Sequence, residues 1–239
     1  MSNGEKTISP VAWFRSPFAS KFGIPRQSGV VRELEGRIVP AEGFRREEAF
    51  RGLEGFDYLW LLWGFSGNEG RWSLTVRPPR LGGNRSVGVF ASRSPFRPNG
   101  LGLSSARIVS IDMKGDNPGI IVSGADLMDM TPIYDIKPYV LYSDSHPEAR
   151  CGFTDGTEWH EAAVVFPDDL KKLFLKTAGI DGNGDNAIAA LTGTLAQRPV
   201  PQYCHDKERT YGMPFMGCDI KFSASEDTVT VTGINKYQK

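Results

Sequence analysis

Cysteine is scarce in this sequence. Cys151, Cys204 and Cys218 are all there is, and no two of them stand as a CxxC pair. That excludes a disulfide framework and a zinc knuckle and leaves ordinary reduced thiols. Histidine is as sparse, and His146, His160 and His205 form no HExxH motif. Long apolar runs are missing too: the greasiest, residues 56–65, is about half of what a membrane-spanning helix needs. The opening MSNGEKTISPVAW holds no apolar signal segment, so a cytoplasmic protein without membrane contact is expected. Net charge is absent as well, with 28 Lys and Arg balancing 28 Asp and Glu. Neutrality argues against wrapping nucleic acid over the whole surface, but not against a local patch.

The usual nucleotide-binding signatures also fail. NGLG at 99–102 gives GxG without a third glycine, and Pro98 stands where a dinucleotide-binding strand would run. No GxxxxGK[ST] phosphate loop occurs. DGNGDN at 181–186 opens like a calcium loop, yet its sixth position is Asn186 and its twelfth is Thr192. An interhelical turn is the better reading.

What is present is a run of short strands with Gly and Pro between them. Strands are expected at 11–14, within 29–39, at 57–65, 86–92, 106–112, 119–125 and 133–136, with one helix at 45–53. The 57–65 segment, DYLWLLWGF, reads as a strand buried on both faces. No strand–helix–strand alternation appears, so a mainly β, closed or sandwich architecture is expected. After about residue 150 the pattern changes. A strand at 164–166 precedes a helix carrying Leu170, Leu173, Phe174 and Thr177 on one face. A second helix carries Ile188, Leu191 and Leu195 and ends before Pro199, and a hairpin pairs 219–222 with 228–232. Two domains follow: residues 1–150, mainly β, and 151–239, a small α+β unit.

Three constellations could carry chemistry. Between Gly70 and Ile111 stand seven arginines (Arg71, Arg77, Arg80, Arg85, Arg93, Arg97, Arg107) and not one Asp, Glu or Lys. Arginine's planar fork suits a bidentate grip on phosphate or carboxylate, and pairing with acids elsewhere is the plainer alternative. The second is DLMDMTPIYDIKPY at 126–139. Its three carboxylates could bind hydroxyls or an ammonium group or take a proton, or they could simply shape a turn. The third, FGIPRQ at 22–27, is weak by itself.

These segments together resemble one family. IPRQ (24–27), RGLE (51–54), TVRPPRLGGN (75–84), GVFASRSPFRPN (88–99) and TPIYDIKPY (131–139) stand in the order found in the TrmO family, the YaeB/VirR-like tRNA methyltransferases. The likeness continues more thinly through LAQRPVPQY (195–203) and Thr210-Tyr211.

The resemblance implies a β-barrel that binds S-adenosylmethionine outside the Rossmann class, with a small C-terminal α+β domain. It implies methylation of N6 of N6-threonylcarbamoyladenosine beside the tRNA anticodon, by a homodimer with a shared site. Carried over, the cofactor pocket would hold Pro25, Arg26, Gln27, Ser66, Gly67, Arg93, Leu103 and Asp126, Leu127, Met128 and Asp129. Asp129, Asp135 and Lys137 would serve catalysis, with Asp129 or Asp135 taking the proton. Arg77, Arg80, Arg97, Asn99, Arg198, Tyr203, Arg209 and Tyr211 would face tRNA, and Lys207 could join them. A non-catalytic RNA-binding barrel is the alternative, as is the same fold methylating another acceptor.

Overall fold

A computed structural model of the chain describes residues 4, 6–68, 70–81, 85–156, 160–182, 184–200, 209–225 and 227–238. In the first part run β1 (Ala12–Arg15), β2 (Glu35–Pro40), β3 (Tyr58–Gly64), β4 (Thr75–Val76), β5 (Val87–Gly88), β6 (Leu101–Asp112), β7 (Gly119–Ser123) and β8 (Thr131–Pro138). A four-residue helix, α1 (Leu141–Asp144), follows. The second part holds β9 (Ala163–Val165), α2 (Asp168–Ala178), α3 (Asp185–Ala196), β10 (Thr210–Phe215), β11 (Cys218–Ala224) and β12 (Thr228–Lys236). Among the described residues no helix is long and apolar enough to cross a membrane.

Six strands close a barrel in the order β1-β2-β7-β6-β3-β8. Closure leaves no open edge, and alternation along each strand sends every second side chain inward. In β3, Leu59, Leu61 and Trp63 are the buried positions. Facing them on β6 are Gly102, Ser104 and Ala106, small residues that leave room for the Trp63 indole. Phe14, Ile38, Ile120, Val122, Leu127 and Ile133 complete that core.

A second core forms where α2 and α3 cover the sheet β10-β11-β12-β9, with β9 parallel to β12. Phe174, Leu191, Met213, Phe215, Phe222 and Val229 are fully buried there. Phe18, Val31 and Leu34, from the link between β1 and β2, join the same cluster. That link is therefore anchored at both ends in the second core while its middle, Pro25 to Gln27, is left to line the cleft described below.

Several expectations are corrected. No α-helix spans 45–53; single 3₁₀ turns stand at Glu47–Ala49 and Leu53–Gly55. Gly52, at φ 90°, breaks the run between them. Residues 29–34 are loop, and only Glu35–Pro40 is strand. Likewise 86–92 shrinks to Val87–Gly88 and one turn. On α2 Leu173 stays 40% exposed, and Phe174 is the fully buried residue. Strand β10 was not foreseen. It carries Pro214, which a sheet accepts at its edge, and β10 is an edge strand.

Candidate active site

The outer face of β3 overturns a further expectation, because this strand is not buried on both sides. Tyr58, Trp60 and Leu62 point away from the barrel core, and Tyr58 is 44% exposed. Trp60 and Leu62 form part of a cleft of about 680 Å³ on the barrel's outer wall. Its other walls are the 24–27 loop, the 65–68 turn after β3, and Ser92, Arg93, Pro95 and Arg97. Leu101 and Leu103 of β6, with Asp126 and Met128 between β7 and β8, close it.

A relay of hydrogen bonds crosses the barrel wall into this cleft. The Trp63 indole N–H donates to Ser104 Oγ at 3.0 Å, and the Ser104 hydroxyl donates to Asp126 Oδ1 at 2.5 Å. Ser104 is 2% exposed, so both bonds stand in a dry setting. Burial pushes the Asp126 carboxyl above its ordinary value. The Ser104 hydroxyl, backbone N–H groups and the Arg93 charge pull the other way. A carboxylate so held is ready for a cation or a hydroxyl brought to it dry.

Arg93 Nη1 donates to Gln27 Oε1 at 2.6 Å, tying the arm after β5 to the β1–β2 link. Arg97 is held by the Ser92 and Ser94 carbonyls at 3.1 and 3.4 Å. Asn68 Nδ2 donates to the Pro95 carbonyl, joining the 65–68 turn to the same arm.

Of the residues expected around a cofactor, the fold gathers Pro25, Arg26, Gln27, Ser66, Gly67, Arg93, Leu103, Asp126 and Met128 in this one cleft. Two are elsewhere. Leu127 is 1% exposed and belongs to the barrel core. Asp129 lines a separate groove beside Arg15 and Arg37, where its Oδ1 accepts from Arg15 Nε at 2.8 Å and the Ser16 N–H at 3.1 Å.

Asp135 pairs in register with Leu62 and Lys137 with Trp60, so both stand on the outer face beside the cleft. Their side chains pair with each other at 2.9 Å.

The residues expected to face RNA are scattered. Arg77 and Asn99 are exposed, on the segment around the small β4–β5 sheet. Arg80's side chain, Tyr203 and Lys207 lie outside the described residues. Arg198 lies two residues past α3 at φ 48°, with its Nε buried. Tyr211 is buried and stacked on Phe222, with the Arg209 guanidinium 5.2 Å from its ring centre. It is thus a core residue. Sequence reasoning missed Trp60, Leu62, Trp63 and Ser104. The signal for the first two was there, in outward positions of β3 as greasy as the inward ones.

A S-adenosyl group fits what the cleft offers. An apolar floor from Leu62, Leu103 and Met128 suits adenosine and a thioether chain, Asp126 suits hydroxyls or an ammonium, and Arg26 and Arg93 suit a carboxylate.

Two family models match the chain in order: the tRNA-methyltransferase O N-terminal domain over residues 13–145 and the TrmO C-terminal domain over 162–237. The chain is 37% identical over 215 residues to the tRNA (adenine(37)-N6)-methyltransferase of Escherichia coli K12, covering 89% of this chain and 90% of that protein. It is 34% identical to the protein of the same name from Eikenella corrodens, over 75% of this chain and 97% of the other. The crystal structure of TrmO from Pseudomonas aeruginosa superposes with a TM-score of 0.77 at 29% identity, over 98% of each chain. With both models matched in chain order and the barrel shared, this chain belongs to the tRNA-methyltransferase O (TrmO) family.

Proposed function

We propose that the protein transfers the methyl group of S-adenosylmethionine to N6 of N6-threonylcarbamoyladenosine, next to the tRNA anticodon. The observation that carries this reading is the cleft itself. A dry carboxylate, Asp126, shares an apolar-floored cleft with arginines 26 and 93, on a barrel that has the TrmO family's sequence.

When bound, the cofactor supplies a methyl group on a cationic sulfur, open to displacement by a nucleophile in line with it. The protein's part is alignment, and exclusion of water does most of the rest. Asp126 holds a hydroxyl or the ammonium of the cofactor, and Arg26 and Arg93 hold its carboxylate. Asp135 and Lys137, on the outer face beside Leu62 and Trp60, stand where an acceptor would enter. There Lys137 meets the substrate's carboxylate and Asp135 takes the proton that the urea-like nitrogen must lose.

Asp135→Asn is therefore expected to lower kcat by about a hundredfold while leaving cofactor affinity alone. Full turnover of this variant at saturating cofactor would remove Asp135 from the proton role.

The protein works in this reading as a cytoplasmic homodimer with a shared site. Trp72, Leu74, Phe90 and Phe96 are 53%, 73%, 78% and 45% exposed on the segment that borders the cleft, an apolar surface suited to a second subunit. Residues 1–150 form the catalytic unit, and 151–239 help hold the anticodon stem-loop. The deciding experiment incubates the protein with methyl-labelled cofactor and two tRNA pools, one with threonylcarbamoyladenosine and one without. Label in the modified pool alone is the expected result. Label in both pools, or in neither, rejects the proposed acceptor.

A further inference from the structure

A barrel already closed around its own core has no packing reason to put aromatic rings on its outer wall. Three are nevertheless there together. Tyr58 and Trp60 occupy successive outward positions of β3, and Tyr139, just past β8, donates its backbone N–H to the Tyr58 carbonyl at 2.9 Å. The Tyr139 ring centre lies 6.2 Å from that of Tyr58 and 5.7 Å from that of Trp60. Trp60 is fixed by its indole N–H, which donates to Asp144 Oδ2 at 2.8 Å, and the same oxygen accepts the Val140 N–H. The ladder runs unbroken into the cleft, because Trp60 is also part of the cleft wall.

The strands on either side put cations next to these rings. Arg107 of β6 is in register with Tyr58 and exposed. Lys137 of β8 is in register with Trp60, and its side chain is 71% exposed. Asp135 and Asp144 on this face are engaged within the protein, Asp135 by Lys137 and Asp144 by Trp60 and Val140. Rings flanked by cations on an open sheet face suit unpaired bases, which stack on any aromatic, with a backbone that passes the positive groups.

Resting on the tRNA reading above, we propose that Tyr58, Trp60 and Tyr139 form a stacking platform for the unpaired nucleotides flanking the methylated base, with Arg107 against their phosphates. Tyr58 is the ring to test, since it lies outside the cleft and contributes nothing to the barrel core.

The measurement is fluorescence anisotropy of the full-length protein with an anticodon stem-loop RNA and, as control, a fully paired RNA of equal charge. Tyr58→Ala is expected to weaken stem-loop binding by about 5- to 100-fold, the worth of one stacked base, and to leave the paired RNA unaffected. Tyr58→Phe, which keeps the ring, retains wild-type affinity. Cofactor affinity is the same in all three proteins, which shows that each is folded. Unchanged stem-loop affinity in Tyr58→Ala overturns the platform. So does a change of sedimentation mass in that variant, because the face would then be a subunit contact. Binding is read without methyl transfer, so a protein that binds the stem-loop through Tyr58 but methylates no tRNA refutes the proposed reaction and leaves the platform standing.

Discussion

Asp126→Ala weakens S-adenosylmethionine binding by about 10- to 100-fold, the usual worth of a charged hydrogen-bond partner in a dry site. The reason lies in the relay behind the carboxylate. The Ser104 hydroxyl is fixed by the Trp63 indole and has Asp126 as its acceptor, so removing the carboxylate leaves the buried hydroxyl's proton without that acceptor as well as the ligand without its partner.

Asp126→Asn separates these two losses. Its amide oxygen can still accept from Ser104, but the charge is gone. Burial raises the Asp126 pKa, so the folded protein binds a proton more tightly than the unfolded chain does. The stability from this group is present at low pH and is lost as pH rises through the raised value. Thermal melts of wild type and Asp126→Asn should therefore diverge with rising pH, in favour of the variant. Cofactor affinity should move the opposite way, rising with pH in the wild type as the carboxylate ionises and staying flat in Asp126→Asn. Calorimetric titration across that range checks it. Equal affinities for wild type and Asp126→Ala would mean that the cofactor does not reach this carboxylate.

Gly102→Ala should be a damaging change in the barrel that also reaches the cleft. Gly102 lies directly opposite Trp63 in the β3–β6 ladder. An added Cβ would stand 2.5 Å from Cζ2 and 2.8 Å from Cδ2 of the Trp63 indole. The ring is 8% exposed and packs edge-on against Phe65 at 4.4 Å between centres, so it must shift to admit the added methyl. Overpacking of this kind costs about 1–3 kcal/mol. It should also reach the cleft, since displacing the indole withdraws the donor that fixes Ser104. Gly102→Ala is therefore expected to melt earlier and to bind cofactor more weakly. Trp63→Phe in the same background should recover part of the stability without recovering the affinity, because phenylalanine is smaller and has no N–H. Wild-type melting and affinity in Gly102→Ala would refute the packing argument.

Much of this was legible along the chain. Short strands punctuated by Gly and Pro announced a mainly β fold, because alternation and turn chemistry are local. The helices α2 and α3 could be placed for the same reason, their apolar residues recurring at helical spacing. The arginine-only stretch from 71 to 107 marked a segment that does border the cleft. Sequence erred where a local preference meets a tertiary demand. Good helix formers at 45–53 settle as isolated turns because Gly52 takes a left-handed φ between them, while Phe50 and Leu53 pack against the barrel core. Asp129, three residues past Asp126, turns to Arg15 because the chain between β7 and β8 reverses which side each carboxylate meets. Tyr211 looks like an RNA-facing aromatic in the sequence but sits in the second core.

By itself, then, the sequence determined the class of fold, the segments that matter and the chemical types brought to them, all of which depend on near neighbours in the chain. The tertiary structure decided which of those groups meet. Trp63, Ser104 and Asp126 are joined only because closing the barrel sets β3 against β6 and β6 against β7. Tyr58, Trp60 and Tyr139 became a surface for the same reason: once the inner positions of β3 had filled the barrel, its equally greasy outer positions were left facing outward.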